Sequence, residues 1–281
     1  MDDETRKKVL VRKILVAIDT SKHSQAALKA AASLARIMEA NIHGVFVHDE
    51  VWNRVSRLPS VTSVNSLTGQ VSAFQDETMQ DRVQILENRL RRKLKEISKL
   101  HDITHSWQLA RGKVEDEILN AARETDLITI GLKGTTAQRK ILGSSARRII
   151  DQADKPVLLL KEGLNLGSTI TAVFDGSIES KKGLKLALNI AERNESTLTI
   201  LIIENEVDSQ EEQKNKISNL LRGSTIFPEI KQLDRSDPSR FINTVNLQKT
   251  GLLIIPKKQP LLTNSLQVIL NHINCPLLMM N

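Results

Sequence analysis

"ILVAIDTSKHSQAALKAAASLA", residues 14–35, is the stretch on which the fold turns. A short apolar run ends at Asp19, a serine-containing turn follows, and an alanine-rich run comes next. Apolar runs this short, bounded by turn residues, read as strands buried on both faces. Ser21 or Ser24 can cap a helix reaching about Ile37, and its small side chains suit close packing on a sheet. The same strand–turn–helix plan returns in "ITAVFDGSIESKKGLKLALNIA", residues 170–191. At a constant offset of 156, Asp19 meets Asp175, Ser21 meets Ser177, Ser24 meets Ser180 and Leu28 meets Leu184. The ends match too: "ADKPVLLLK" (153–161) resembles "INCPLLMMN" (273–281) at an offset of 120, so the second copy is 36 residues shorter between the two marks.

Working outward, strands are predicted at 13–18, 42–48, 103–110, 126–130 and 156–160, then near 169–174, 197–203, 225–233, 251–255 and 276–280. Helical patterns lie between them. Residues 77–100 place Met79, Val83, Leu86, Leu90, Leu94, Ile97 and Leu100 at helical spacing, with Arg and Lys on much of the other face. Further helices are expected over 113–124 and 144–152. Alternating β and α implies parallel strands with right-handed crossovers. The expected architecture is two tandem doubly wound, Rossmann-like α/β domains over 1–162 and 168–281, joined by "EGLNLGS" and packed as a pseudo-dimer. Each is a five-stranded, mainly parallel sheet with helices on both faces. The stretch 50–75 has no clear period and reads either as a loop or lid with a short helix, or as a plain surface insertion.

Composition narrows the function classes. The 281 residues suit about two domains. A net charge of +7 favours anionic partners. Five Phe, two Trp and no Tyr leave few platforms for base stacking, which argues against single-stranded nucleic acid. The lone Cys275, at the last predicted strand, reads as inert core and fits a reducing, cytoplasmic setting. The charged opening "MDDETRKKVL" does not read as a signal peptide, and no apolar run is long enough to cross a bilayer. His101 and His105 are four apart but have no third ligand in view, so no metal site is expected. The basic run 89–99 reads as a solvated helix face.

The chemistry concentrates in "GLKGTTAQRKILGSSARR", residues 131–148. Ligands of doubly wound sheets bind beyond the carboxyl ends of strands, where strand order reverses. Gly131 and Gly134 are expected to take positive φ and expose N–H groups, and Gly143, Ser144 and Ser145 to open a helix whose N-terminus suits a phosphate. Lys133, Arg139 and Lys140 add positive charge. The competing reading is an ordinary capped turn, with the bases solvated and Asp19 capping its own helix; the residues alone leave both open.

The combination "ILVAIDTSKHSQAALKAA" with "TIGLKGTTAQRKILGSSARRIIDQADKPVLLLK" resembles the universal stress protein family in its tandem form. The ATP-binding branch of that family shows G-x2-G-x9-G followed by Ser or Thr. Here Gly131-x2-Gly134-x8-Gly143-Ser144 is one residue short. The resemblance implies ATP, or ADP or AMP, optionally with Mg2+, in the first domain. It places Asp19 at the adenosine end, the Val47 backbone against adenine, and Gly131, Gly134, Gly143, Ser144 and Ser145 around ribose and phosphates. It also implies a stress-response role and pairing into homodimers. In the second copy Pro256, Gln259 and Thr263 stand where the glycines stand in the first, so family-type binding is not expected there. No positioned base or nucleophile is legible, so hydrolysis is expected to be slow at most. Two other readings remain: a nucleotide-independent module docking a transporter, kinase or metabolic enzyme, and a nucleotide-hydrolysing or nucleotidyl-transferring enzyme.

Overall fold

The computed structural model describes residues 11–49, 62–64, 71–73, 76–134, 142–203, 210–233 and 238–281. In the first half the order is β1 (Lys13–Ala17), α1 (Lys22–Met38), β2 (Asn41–Asp49), β3 (Thr62–Val64), β4 (Val71–Ala73), α2 (Asp76–His101), β5 (His105–Gly112), α3 (Val114–Ala122), β6 (Leu127–Gly131), α4 (Ser144–Gln152) and β7 (Val157–Leu160). The second half continues with β8 (Thr169–Phe174), α5 (Ile178–Asn194), β9 (Thr197–Ile203), α6 (Gln210–Leu221), β10 (Glu229–Leu233), α7 (Pro238–Leu247), β11 (Leu252–Pro256), α8 (Pro260–His272) and β12 (Leu277–Met280).

Ten of these strands form one sheet in the order β10-β9-β8-β11-β12-β7-β6-β1-β2-β5. Neighbours are parallel within each half, and both halves carry the same strand order. The two meet at a single antiparallel pair, Leu277 opposite Leu159 and Met279 opposite Val157. Alternation along the strands splits the core in two. Ile14, Val16 and Phe174 join α1, α2, α5 and α6 on one face. Leu15, Val173 and Ile255 join α3, α4, α7 and α8 on the other. Both layers are continuous across the junction, which is why the strands read as unbroken apolar runs rather than alternating ones.

The junction is fastened at both ends by reciprocal caps. Lys161, just past β7, donates its Nζ to the carbonyls of Ile273 at 2.7 Å and Asn271 at 3.4 Å, closing the C-terminus of α8. Lys257 donates to the carbonyls of Asp151 at 3.0 Å and Ala153 at 3.2 Å, and the Asn281 amide donates to those of Ala153 and Lys155, closing α4. Cations at helix C-termini also meet the negative end of the dipole.

Helix α1 begins at Ser21, not Ser24: the Ser21 hydroxyl accepts from the Ser24 N–H at 3.0 Å. Predicted strand 225–233 is shorter, starting at Glu229, and 103–110 shifts to 105–112. Within 50–75 the described residues form no helix; β3 and β4 pair antiparallel instead, and the remainder lies outside the described residues.

Candidate functional site

A cavity of about 550 Å³ opens at the carboxyl ends of β1, β2 and β6, where β1 and β6 lead off in opposite directions along the sheet. Asp19, Val47, Gly131, Lys133, Gly134, Gly143, Ser144 and Ser145 all line it. Arg139 and Lys140 lie outside the described residues. The floor is apolar, from Val45, Ile118, Ile130 and Ile149.

The turn after β1 positions Asp19 tightly. Its N–H donates to Ser24 Oγ at 2.8 Å, and its Oδ1 accepts from the Ser21 N–H at 2.8 Å. Buried Ser24 ties the turn back to the Ala17 carbonyl at 3.3 Å. Asp19 therefore does shape the start of α1, while its second oxygen faces the glycine loop: a β-carbon at Gly134 would sit 3.3 Å from Oδ2. The second half repeats the turn, with Ser177 N–H donating to Asp175 Oδ1 at 3.0 Å.

The glycines serve a different purpose from the one expected. None of Gly131, Gly134 and Gly143 has positive φ. Gly131 is glycine because α1 presses on it: a β-carbon there would lie 2.7 Å from the His23 carbonyl carbon and 2.8 Å from the Ser24 nitrogen. Gly143 is the N-cap of α4 with φ −65° and ψ 154°, and its N–H donates to the Leu132 carbonyl at 2.8 Å.

Helix α4 carries no side-chain cap at its N-terminus and no acid in its first turn. Among the described residues no side-chain cap satisfies the N–H groups of its first residues, which lie at the positive end of a helix dipole, and Ser144, Ser145 and Ala146 all border the cavity. Lys133 borders the same end. The Ser145 hydroxyl is turned elsewhere, donating to buried Glu115 at 3.4 Å; Glu115 also holds Arg148 at 2.8 Å, so α3 and α4 are clasped together behind the helix start. An anion of phosphate size is what such an end can hold.

Sequence reasoning missed Thr20, His48 and Arg82, which also line the cavity. His48 follows Val47 on β2, and its Nε2 is buried without a partner among the described residues. Burial pushes its pKa down, Arg111 adds to this, and Asp49 opposes it. Arg82 comes from α2, whose apolar stripe gave the helix but not which of its polar residues overhang the sheet edge.

The model of the universal stress protein family matches residues 11–161. The chain belongs to the universal stress protein family. Universal stress protein YxiE of Bacillus subtilis is 30% identical over 162 residues, which is 54% of this chain and all of that protein. Universal stress protein MJ0531 of Methanocaldococcus jannaschii is 26% identical over 156 residues, covering 54% of this chain and 84% of that one. Over nearly the whole family member described here, the fold is similar to that of a universal stress protein from Archaeoglobus fulgidus, with a TM-score of 0.71 at 13% identity, covering 97% of this chain and 98% of the other. It is also similar to the cytoplasmic domain of a prokaryotic cation chloride cotransporter, with a TM-score of 0.57 at 13% identity, covering 96% and 95%.

Proposed function

We propose that the cavity of the first half binds ATP, or ADP or AMP, and that this universal stress protein acts in the stress response through that occupancy. The observation that carries the reading is the uncapped start of α4, opening beside Lys133 into the same cavity as Asp19 and Val47. In this reading the phosphates lie against the N–H groups of Ser144–Ala146 and beside Lys133, with Mg2+ brought by the phosphates themselves. Asp19 Oδ2 meets the ribose side, and the base lies toward the Val47 backbone. Arg139 and Lys140 would add charge to the phosphate end. Fast turnover is not part of the proposal: Asp19 Oδ1 already accepts from Ser21, and Glu115 is engaged by Arg148 and Ser145.

The second half supports a structural and regulatory role. Its last-but-one strand ends in Pro256, which has no N–H to offer. Lys257 caps α4, and Lys258 pairs with Glu179 at 3.5 Å, so both cations at that strand end already have partners.

The test is to purify the protein without added nucleotide, denature it, identify released small molecules by mass spectrometry, and then titrate ATP calorimetrically. About one adenine nucleotide per chain is expected, with affinity reduced roughly 10–150-fold in Lys133→Gln, as for loss of a charge-assisted hydrogen bond. No released nucleotide and no heat on titration would overturn the reading and leave the start of α4 as a plain turn.

A further inference from the structure

His23 is the second residue of α1, between the cavity and the segment that leaves the first half. Its backbone is the surface against which Gly131 packs, at the end of β6. Its ring reaches the other way, and Nδ1 accepts from the Glu162 N–H at 3.0 Å. Glu162 follows β7 and begins the 162–168 connection to β8; its carboxylate is held by Lys22 at 2.9 Å. One residue thus touches the base of the glycine loop and pins the first residue of the connection.

We propose that His23 makes anion binding in the cavity proton-linked and transmits it to the Glu162 pin, an inference that rests on the nucleotide reading above. An acceptor nitrogen needs a neutral ring, since both ring nitrogens of a protonated imidazole are donors. The charged groups around it are Asp19 from the β1–α1 turn, Lys133 beyond β6, Glu162 beyond β7 and Lys22 on its own helix. Partial burial, the largest effect, and Lys133 disfavour the cationic ring, and the positive start of α1 does the same; a hydrogen bond to the Leu160 backbone, then Glu162 and Asp19, oppose them, and the net shift is downward. A phosphate beside Lys133 changes this balance. It offsets the lysine and adds negative charge, so His23 takes up a proton. Protonated Nδ1 then faces the Glu162 N–H as donor against donor, and the pin is lost.

The sign follows by linkage. The bound state holds its proton to higher pH than the free state, so binding takes up protons and tightens as pH falls between the two pKa values. The gain is about tenfold for each pKa unit the ligand adds.

The experiment is ATP titration between pH 5.5 and 8 in buffers of different ionisation heat, on the full chain and on His23→Asn and His23→Gln. These variants keep a side-chain oxygen as acceptor but cannot titrate. The difference between the full chain and the variants removes the ionisation of ATP itself. Expected are proton uptake and an affinity rise toward acid pH in the full chain beyond that of either variant, with the Glu162 amide losing protection from hydrogen exchange on binding. The second readout is the His23 ring titration by NMR with and without ATP, which does not depend on a variant folding. Identical pH profiles, or a His23 titration unmoved by ATP, would overturn the coupling while leaving the nucleotide site standing. A full chain that binds no nucleotide at any pH would overturn the site and the coupling together.

Discussion

Gly131 and Gly134 sit three residues apart in the same loop, yet they answer to different demands. At Gly131 an added β-carbon meets the backbone of α1, which cannot yield cheaply. Gly131→Ala is expected to lower stability by about 1–3 kcal/mol in thermal unfolding, as for other overpacked sites. At Gly134 the nearest atom is a carboxylate oxygen at 3.3 Å, so Gly134→Ala should change stability by less than about 0.5 kcal/mol but weaken ATP binding by placing a methyl group before Asp19. The sequence marks both as special without saying why, because spacing does not distinguish a glycine needed for φ from one needed for clearance. His48 was less legible still. A histidine at the end of an apolar strand looks like any other, and only the packed strand shows its Nε2 buried without a partner among the described residues. His48 and His23 both have pKa values lowered mainly by burial. The unfolded chain therefore binds protons more readily, and stability is lost as pH falls from about 6.5, the ordinary histidine value, toward the lower folded values. Thermal unfolding across pH 5–8 should show this loss, reduced in His48→Gln.

Strands and helices were the most legible level, since apolar runs and helical periodicity are properties of neighbouring residues. Strand β8 and helix α4 fall on their predicted ranges. Edges were less so: residues 225–228 are apolar enough to suggest strand, but pairing with β9 begins only at Glu229. The decisive property of α4, an N-terminus without a side-chain cap among the described residues, was only half visible: Gly143 could be read, but what packs around the first turn could not. Stability and function make opposite demands here. Gly143→Asp would supply the missing cap and a negative charge at the dipole. Stability should hold or rise by a few tenths of a kcal/mol, while ATP affinity falls about tenfold or more, because the carboxylate takes the N–H groups and repels the phosphates. Equal affinities in a calorimetric titration would mean that α4 does not face the ligand.

The scale of the whole molecule was the least legible. Two similar segments in one chain leave open how they meet, and the answer rests on β7 and β12 pairing antiparallel with lysines from each side capping a helix of the other. Lys161 is partly buried, and that burial lowers its pKa. Lys161→Met keeps the aliphatic stem but frees the carbonyls of Asn271 and Ile273. Unfolding is expected to cost about 1–3 kcal/mol less than in the parent, with one cooperative transition in calorimetry broadening toward two.

The antiparallel junction has one more consequence. Strands that run up the first half run down the second, while α1 and α5 stay on the same face of the sheet. The carboxyl ends of the two sets of strands therefore open toward opposite poles of the molecule. The cavity looks out of one pole; its counterpart, where Pro256 and the Lys258–Glu179 pair stand, looks out of the other. A partner seated on that second pole would leave the mouth of the cavity clear, so small molecule and partner need not compete for the same doorway.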